Sequence, residues 1–490
     1  MCVLNEKGNL YAKKNFSKKR SRMRTLQFGN VFINSFYTTL PYLKNIWRYF
    51  KAFYRSTFAK VALNYNGGSE NNQGERMEFE EISERIRKLG EETEKELSGV
   101  FSEVDRTREK NFLKVLDAFR KTRVSDFYFK DTSGYGLSDP GRDKVEEVYK
   151  NIFHSESALV RPQIISGTHA IAITLFGLLR PGDTLLYLSG APYETGEAII
   201  GIRSAKTSLK EFGVQFAQTD ISSGVSAESE KLIKNATVGV IQRSGGYSYR
   251  KALTIEKIRR MVSDAKRINP HITIMVDNCY GEFVETEEPT DGGADVVVGS
   301  LIKNMGGAIA PTGGYIVGTE SAISKIEGML TAPGTGREIG PMLNLTRSFL
   351  QGVFFAPQVV SNALKGAVFA ARLFEKLGYE TRPGWDEKRG DIVQAIKLGS
   401  PEKLIAFAQA VQFVSPVDWD AEVEPSYLAG YENDILMAAG TFVQGSSIEL
   451  SADAPMKPPY VIYLQGGIYY EHSKLASLVA ASRIEKLTGQ

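Results

Sequence analysis

The strongest constraint on the fold is a series of short apolar runs without polar alternation: 184–188 (TLLYL), 238–242 (VGVIQ), 272–276 (ITIMV), 295–298 (DVVV) and 315–317. A strand with one wet face alternates polar and apolar residues; these do not, so both of their faces are expected to be covered. Between two of them Thr254 can cap a helix with apolar positions at Ile255, Ile258, Val262 and Ala265, and Pro270 marks its end. Strand and helix in alternation imply an α/β fold, a mostly parallel sheet flanked by helices. Ligands of such sheets bind beyond the carboxyl ends of the strands, which is where chemistry is expected.

The rest of the chain reads as distinct segments. Residues 1–65 carry thirteen Lys or Arg against the single acid Glu6, mixed with hydroxyls and aromatics, a composition expected of an organelle transit peptide, chloroplast slightly ahead of mitochondrion. A disordered basic tail on a cytoplasmic protein is the alternative. The turn formers at 64–74 (NYNGGSENNQG) read as a linker, so residues 1–74 are expected to be leader and linker. Residues 75–145 are expected to form a helical arm, with apolar positions Ile82, Ile86, Leu89 and Leu97 at helical spacing. Residues 146–377 form the expected large domain and 378–490 a smaller α+β domain.

Over the whole chain 60 Lys and Arg balance 57 Asp and Glu, a net +3, so neither nucleic acid nor a membrane surface is expected as partner. The cysteines, Cys2 and Cys279, form no disulfide framework, and His154, His169, His271 and His472 lack ligand spacing, so no metal is expected.

Three features stand at strand ends. Residues 166–170 (SGTHA) form a small-residue turn into a helix, which can hold a phosphate on its amides or serve as a plain cap. Asp277 closes an apolar strand, where a buried carboxylate needs a cationic partner. Lys303 lies 26 residues later, flanked by Leu301, Ile302 and Met305. Desolvation there is expected to depress its pKa and favour imine chemistry. Anchor, acid and amine together are the parts that hold pyridoxal 5′-phosphate.

With segments 164–170 (IISGTHA), 191–195 (APYET), 241–247 (IQRSGGY), 276–282 (VDNCYGE), 299–304 (GSLIKN) and 444–451 (QGSSIELS), residues 75–490 resemble the fold-type I pyridoxal-phosphate transferase fold. Within it they are similar to the cystathionine β/γ-lyase branch, specifically the methionine γ-lyase-like, or aluminium-resistance, group. The resemblance implies that Lys303 holds the cofactor's aldehyde and moves the α-proton. Asp277 would keep the ring nitrogen protonated, and Gly167, Thr168 and Ser300 would contact the phosphate. Tyr193 stands where the branch stacks a catalytic-site aromatic on the ring. Tyr135 and Arg142 are the residues expected to reach a neighbouring subunit's phosphate, which implies a homodimer or homotetramer.

One departure concerns the substrate. The branch binds the substrate carboxylate with a small-domain arginine, and there is none between Arg389 and Arg483. Arg243 and Lys457 are the remaining candidates for that contact. The expected activity is elimination of a thiol from a sulfur amino acid of the methionine, cystathionine or cysteine type. Transamination, racemisation, an aldol-type cleavage, or a non-catalytic stress role on the same fold stay open.

Overall fold

The computed structural model describes residues 81–490 apart from Asp131, Ala429, Gly430 and Gln490. It also describes two strands near the start, Cys2–Leu4 and Leu10–Ala12, paired antiparallel within the unit Met1–Glu78. The remainder of the expected leader and linker lies outside the described residues. The second unit, Phe79–Gln490, carries everything that follows.

Seven strands form the larger sheet: β1 Ser157–Arg161, β2 Thr184–Tyr187, β3 Gln215–Gln218, β4 Val238–Gln242, β5 Thr273–Asp277, β6 Val296–Ser300 and β7 Gly314–Gly318. Their order is β1-β7-β6-β5-β4-β2-β3, and β7 alone runs antiparallel to its neighbours. Every residue of β4, β6 and β7 is buried, as expected of apolar runs covered on both faces. The helix between β4 and β5 is Ile255–Ile268, and the Thr254 hydroxyl accepts from the Lys257 amide. Two strands have no counterpart among the expected runs, and both lie at sheet edges. β1 ends in Arg161, whose charge is neutralised inside the fold by Glu146 at 2.6 Å, and β3 (QFAQ) is polar at both exposed ends.

A 31-residue helix, Thr346–Lys376, follows the large sheet. Phe349, Leu350, Val353 and Ala356 sit in the core of the large sheet, whereas Phe369, Leu373 and Phe374 sit in a second core farther along the chain. Pro357 lies inside it. Its length and composition would let it cross a membrane, but 72% of its most apolar window is buried within the fold. The first helices, Glu84–Glu96 and Ser98–Lys121, are tied to the long helix by Lys365–Asp105 at 2.8 Å and Arg372–Glu96 at 3.0 Å.

The second core belongs to an antiparallel sheet of β8 Glu380–Arg382, β9 Gln394–Lys397, β10 Ile435–Ala438, β11 Ser451–Pro455 and β12 Val461–Gln465, in the order β8-β9-β12-β11-β10. Side chains alternate across a strand. Ala452, Ala454, Ile462 and Leu464 join that core with residues of helices Pro401–Phe413 and Tyr470–Thr488. Asp453, Tyr463 and Gln465 occupy the alternate positions and therefore the opposite face.

Candidate active site

Three parallel strands end side by side at one edge of the large sheet: β4 at Gln242, β5 at Asp277 and β6 at Ser300, with Gln242 opposite Asp277 in the ladder. Beside them starts the helix Gly167–Leu178, whose N-cap Ser166 accepts from the His169 amide at 3.1 Å. A cavity of about 440 Å³ opens here. Gly167, Thr168, Tyr193, Asp277, Ser300, Lys303 and Lys457 all border it. A side chain at Gly167 would place its Cβ 2.9 Å from Cys279 Sγ, so only glycine lets this first turn approach the strand ends.

Asp277 is 4% exposed and its Oδ1 accepts from the Cys279 amide at 3.1 Å. Burial pushes this carboxyl above the usual carboxylate range, against the pull of the Lys303 ammonium and of Cys279. Lys303 Nζ sits 3.8 Å from the centroid of the Tyr280 ring. Burial alone would lower this amine, yet Tyr280, Cys279 and Asp277 outweigh it and hold the ammonium above its ordinary value. The expectation of a depressed lysine is thus corrected. Its sequence neighbours are apolar, but Leu301 and Met305 turn into the core while Nζ is acted on by Tyr280, Cys279 and Asp277.

Tyr193 N-caps the helix Glu194–Ile200; its amide donates to Gln242 Oε1 at 2.9 Å and its hydroxyl to the Ser244 carbonyl. Its ring lies against Gly246, where φ is +54° and a Cβ would stand 2.4 Å from Tyr193 Cε1; that position requires glycine on both counts. Lys457 Nζ is 3.7 Å from Glu194 Oε1 at the cavity's edge.

Three expected site residues lie elsewhere. Arg243 is fully buried, and its guanidinium donates to Asn278 Oδ1 (2.8 Å), Glu285 Oε2 (3.0 Å) and the Leu253 carbonyl (3.3 Å), with Glu288 at 3.8 Å. An arginine so committed holds the strand ends together and has no donor directed at a substrate, which corrects its assignment to the carboxylate. Arg142 donates to the Gly136 carbonyl at 2.8 Å and pairs with Asp143 at 2.9 Å, bordering a different, charged cavity. Tyr135 is 74% exposed on the preceding loop. Neither borders the Lys303 cavity within this chain.

The residues present fit pyridoxal 5′-phosphate. A helix N-terminus flanked by the hydroxyls of Ser166, Thr168 and Ser300 suits a phosphate. Asp277, disfavoured as an anion by desolvation, would be stabilised as one by a protonated ring nitrogen. Lys303 supplies the amine. Sequence reasoning missed Tyr247, Tyr280 and Tyr431, which also border the cavity, and Asp453 behind them. Tyr247 and Tyr280 lie in the segments that carry the family resemblance, the one available signal; Tyr431 and Asp453 come from the small sheet and its loops, and only folding brings them here.

The family model for methionine gamma-lyase matches residues 86–485. The protein YnbB of Bacillus subtilis, itself uncharacterized, is 48% identical over 400 residues, 80% of this chain and 95% of its own. A crystal structure from Clostridium novyi, described as a carbon-sulfur lyase involved in aluminum resistance, is 47% identical with a TM-score of 0.78, covering 82% of this chain and 97% of that one. Another, from Clostridium acetobutylicum, described as a candidate cystathionine beta-lyase involved in aluminum resistance, is 45% identical with a TM-score of 0.79, covering 82% and 96%. At 17% identity and a TM-score of 0.52, over 77% of this chain and 97% of the other, the pyridoxal-5′-phosphate-dependent protein YhfS of Escherichia coli shares the fold. That fold is the fold-type I architecture. The near relatives are bacterial, which overturns the reading of the basic N-terminal segment as an organelle transit peptide. The chain belongs to the methionine gamma-lyase family.

Proposed function

We propose that the protein is a pyridoxal-phosphate-dependent carbon–sulfur lyase that eliminates a thiol from a sulfur amino acid of the methionine, cystathionine or cysteine type. The observation that carries this reading is the convergence of Lys303, Asp277 and the Gly167 helix start on one cavity. When bound, the pyridoxal group supplies an electron sink for negative charge at the substrate's Cα. Lys303 would hold its aldehyde carbon, Asp277 its ring nitrogen, Gly167, Thr168 and Ser300 its phosphate, and the ring of Tyr193 its face. As a free, unprotonated amine, Lys303 would take the α-proton at Nζ. Lys457 binds the substrate carboxylate: apart from Lys303 it is the one cationic side chain bordering the cavity among the described residues. In the same reading the protein works as a homodimer or homotetramer, with Tyr135 contributed to a neighbour's cavity, and has neither nucleic acid nor membrane as partner.

Lys303→Ala tests this directly. The variant is expected to lack the visible absorption of lysine-bound cofactor and to release no thiol from cystathionine, methionine or cysteine. Turnover equal to that of the parent would reject the assignment.

A further inference from the structure

The Lys303 side chain does not hang free in the cavity. Its Nζ stands 3.8 Å from the centroid of the Tyr280 ring, and among the described residues no carboxylate is paired with it directly. A cation over an aromatic face is attracted by the ring's negative quadrupole, the more so where water is excluded. The chain holds this ring in place against its own backbone preference. Tyr280 has a φ of +73°, a left-handed conformation that a bulky residue adopts only where its surroundings impose it. Here they do. The Gly281 amide donates back to the Asn278 carbonyl at 2.8 Å, closing the turn, and a Cβ at Gly281 would stand 2.4 Å from Cδ of the buried Arg243. The Tyr280 carbonyl accepts from the Ile392 amide at 3.2 Å, and its hydroxyl accepts from Ser447 at 3.4 Å. The other cavity tyrosines have other partners: the Tyr193 ring lies against Gly246, and the rings of Tyr247 and Tyr431 lie 5.6 Å apart.

We propose that Tyr280 is a positioning residue for Lys303, whose amine rests in its proton-bearing form on the ring face whenever it is not joined to the cofactor. The inference rests on the reading of Lys303 given above. As base, the neutral amine takes the α-proton: the carbon–hydrogen bond breaks, its electron pair stays with the carbon, and Nζ becomes an ammonium. That ammonium is the species the ring face stabilises, so the ring strengthens the base without touching the substrate. It also fixes where the proton is carried, at the edge of the cavity and not in solvent. Burial alone would lower this amine; Tyr280 leads the groups that raise it, ahead of Cys279 and Asp277. Glu282, Tyr431 and Asp453 are the other titratable groups that interact with it. None of these other groups changes when the ring is altered.

The test varies the ring and reads the lysine. Tyr280→Leu removes the aromatic face and Tyr280→Phe keeps it. A third protein carries a trifluorinated phenylalanine at this position, whose ring keeps its shape but loses the negative face, so it decides the matter even where the leucine variant is unstable. In the whole chain freed of cofactor, acetylation of Lys303 by acetic anhydride at about pH 9, followed by peptide mass, reports the unprotonated fraction of the amine. Relative to the parent it should rise about tenfold, one pKa unit, in Tyr280→Leu, by less in the fluorinated protein, and stay within about twofold in Tyr280→Phe. In the holoenzymes, exchange of the α-hydrogen of L-alanine for deuterium separates proton removal from thiol release. Tyr280→Leu should slow it about threefold or more with the visible absorption of lysine-bound cofactor retained, and Tyr280→Phe should recover most of that loss. Equal labelling in the parent, the leucine and the fluorinated proteins, or Tyr280→Phe behaving as Tyr280→Leu, would overturn the inference while leaving the lyase reading in place. A parent holoenzyme that exchanges no α-hydrogen from any amino acid would reject the lyase reading, and this role of Tyr280 with it.

Discussion

Replacing Glu282 by Gln should make the protein more stable at alkaline pH and change little in acid. Glu282 is fully buried; its Oε1 accepts from the Tyr315 hydroxyl at 2.8 Å, and its Oε2 has no partner. Burial, reinforced by nearby Glu288, raises the carboxyl from 4.5 to about 8, despite the lowering effect of Tyr315 and Lys303. The folded state therefore binds a proton that the unfolded chain gives up near 4.5. Stability from this group is complete below that pH and is lost as pH climbs to about 8. Each pH unit in the window costs about 1.4 kcal/mol. Between pH 5.5 and 8.5 the parent should lose roughly 3 kcal/mol relative to the variant, whose amide copies the neutral acid without ionising. Urea unfolding of both proteins across that range measures the difference. Parallel stability profiles would show that Glu282 is already ionised in the fold and would refute the reasoning.

Arg243→Ala should destabilise the protein by about 3–5 kcal/mol, because Glu285 and Glu288 lose their buried partner. Unfolding midpoints measure this, and a variant of parental stability with only a raised KM would restore Arg243 to the substrate. Lys457→Ala should raise KM for an amino-acid substrate about tenfold or more with a smaller effect on kcat, since a carboxylate contact made by a charged donor contributes roughly 1.5–3 kcal/mol. An unchanged KM would place the carboxylate elsewhere.

The central strands and the ends of β5 and β6 were legible because both signals are local: an apolar run declares a covered strand, and a polar residue at its end declares the sheet's edge. Asp277 follows from that, Lys303 from its place just after the next strand, and Ser300 from the family resemblance. Arg243 misled for the same reason, since a strand-end arginine that braces the sheet and one that meets a ligand look identical until Glu285, Glu288 and Asn278 are seen around it. The ionisation of Lys303 was misjudged because the groups that act on it, Tyr280, Cys279 and Asp277, belong to another stretch of chain and not to the residues that flank it in sequence. Tyr247 and Asp453 are about two hundred residues apart, and nothing along the chain announces that the polar face of the small sheet meets the large one.

The long helix Thr346–Lys376 sets how this active site can move. At about 1.5 Å per residue it is a rod of roughly 46 Å packed at one end against the turn Asn304–Gly306 after β6 and at the other against the small sheet that carries Asp453. Opening the cleft therefore means flexing a continuous beam, a stiff deformation, and the softest point along it is Pro357, where the ladder of main-chain bonds loses a rung. The two cores it joins should melt in a single step.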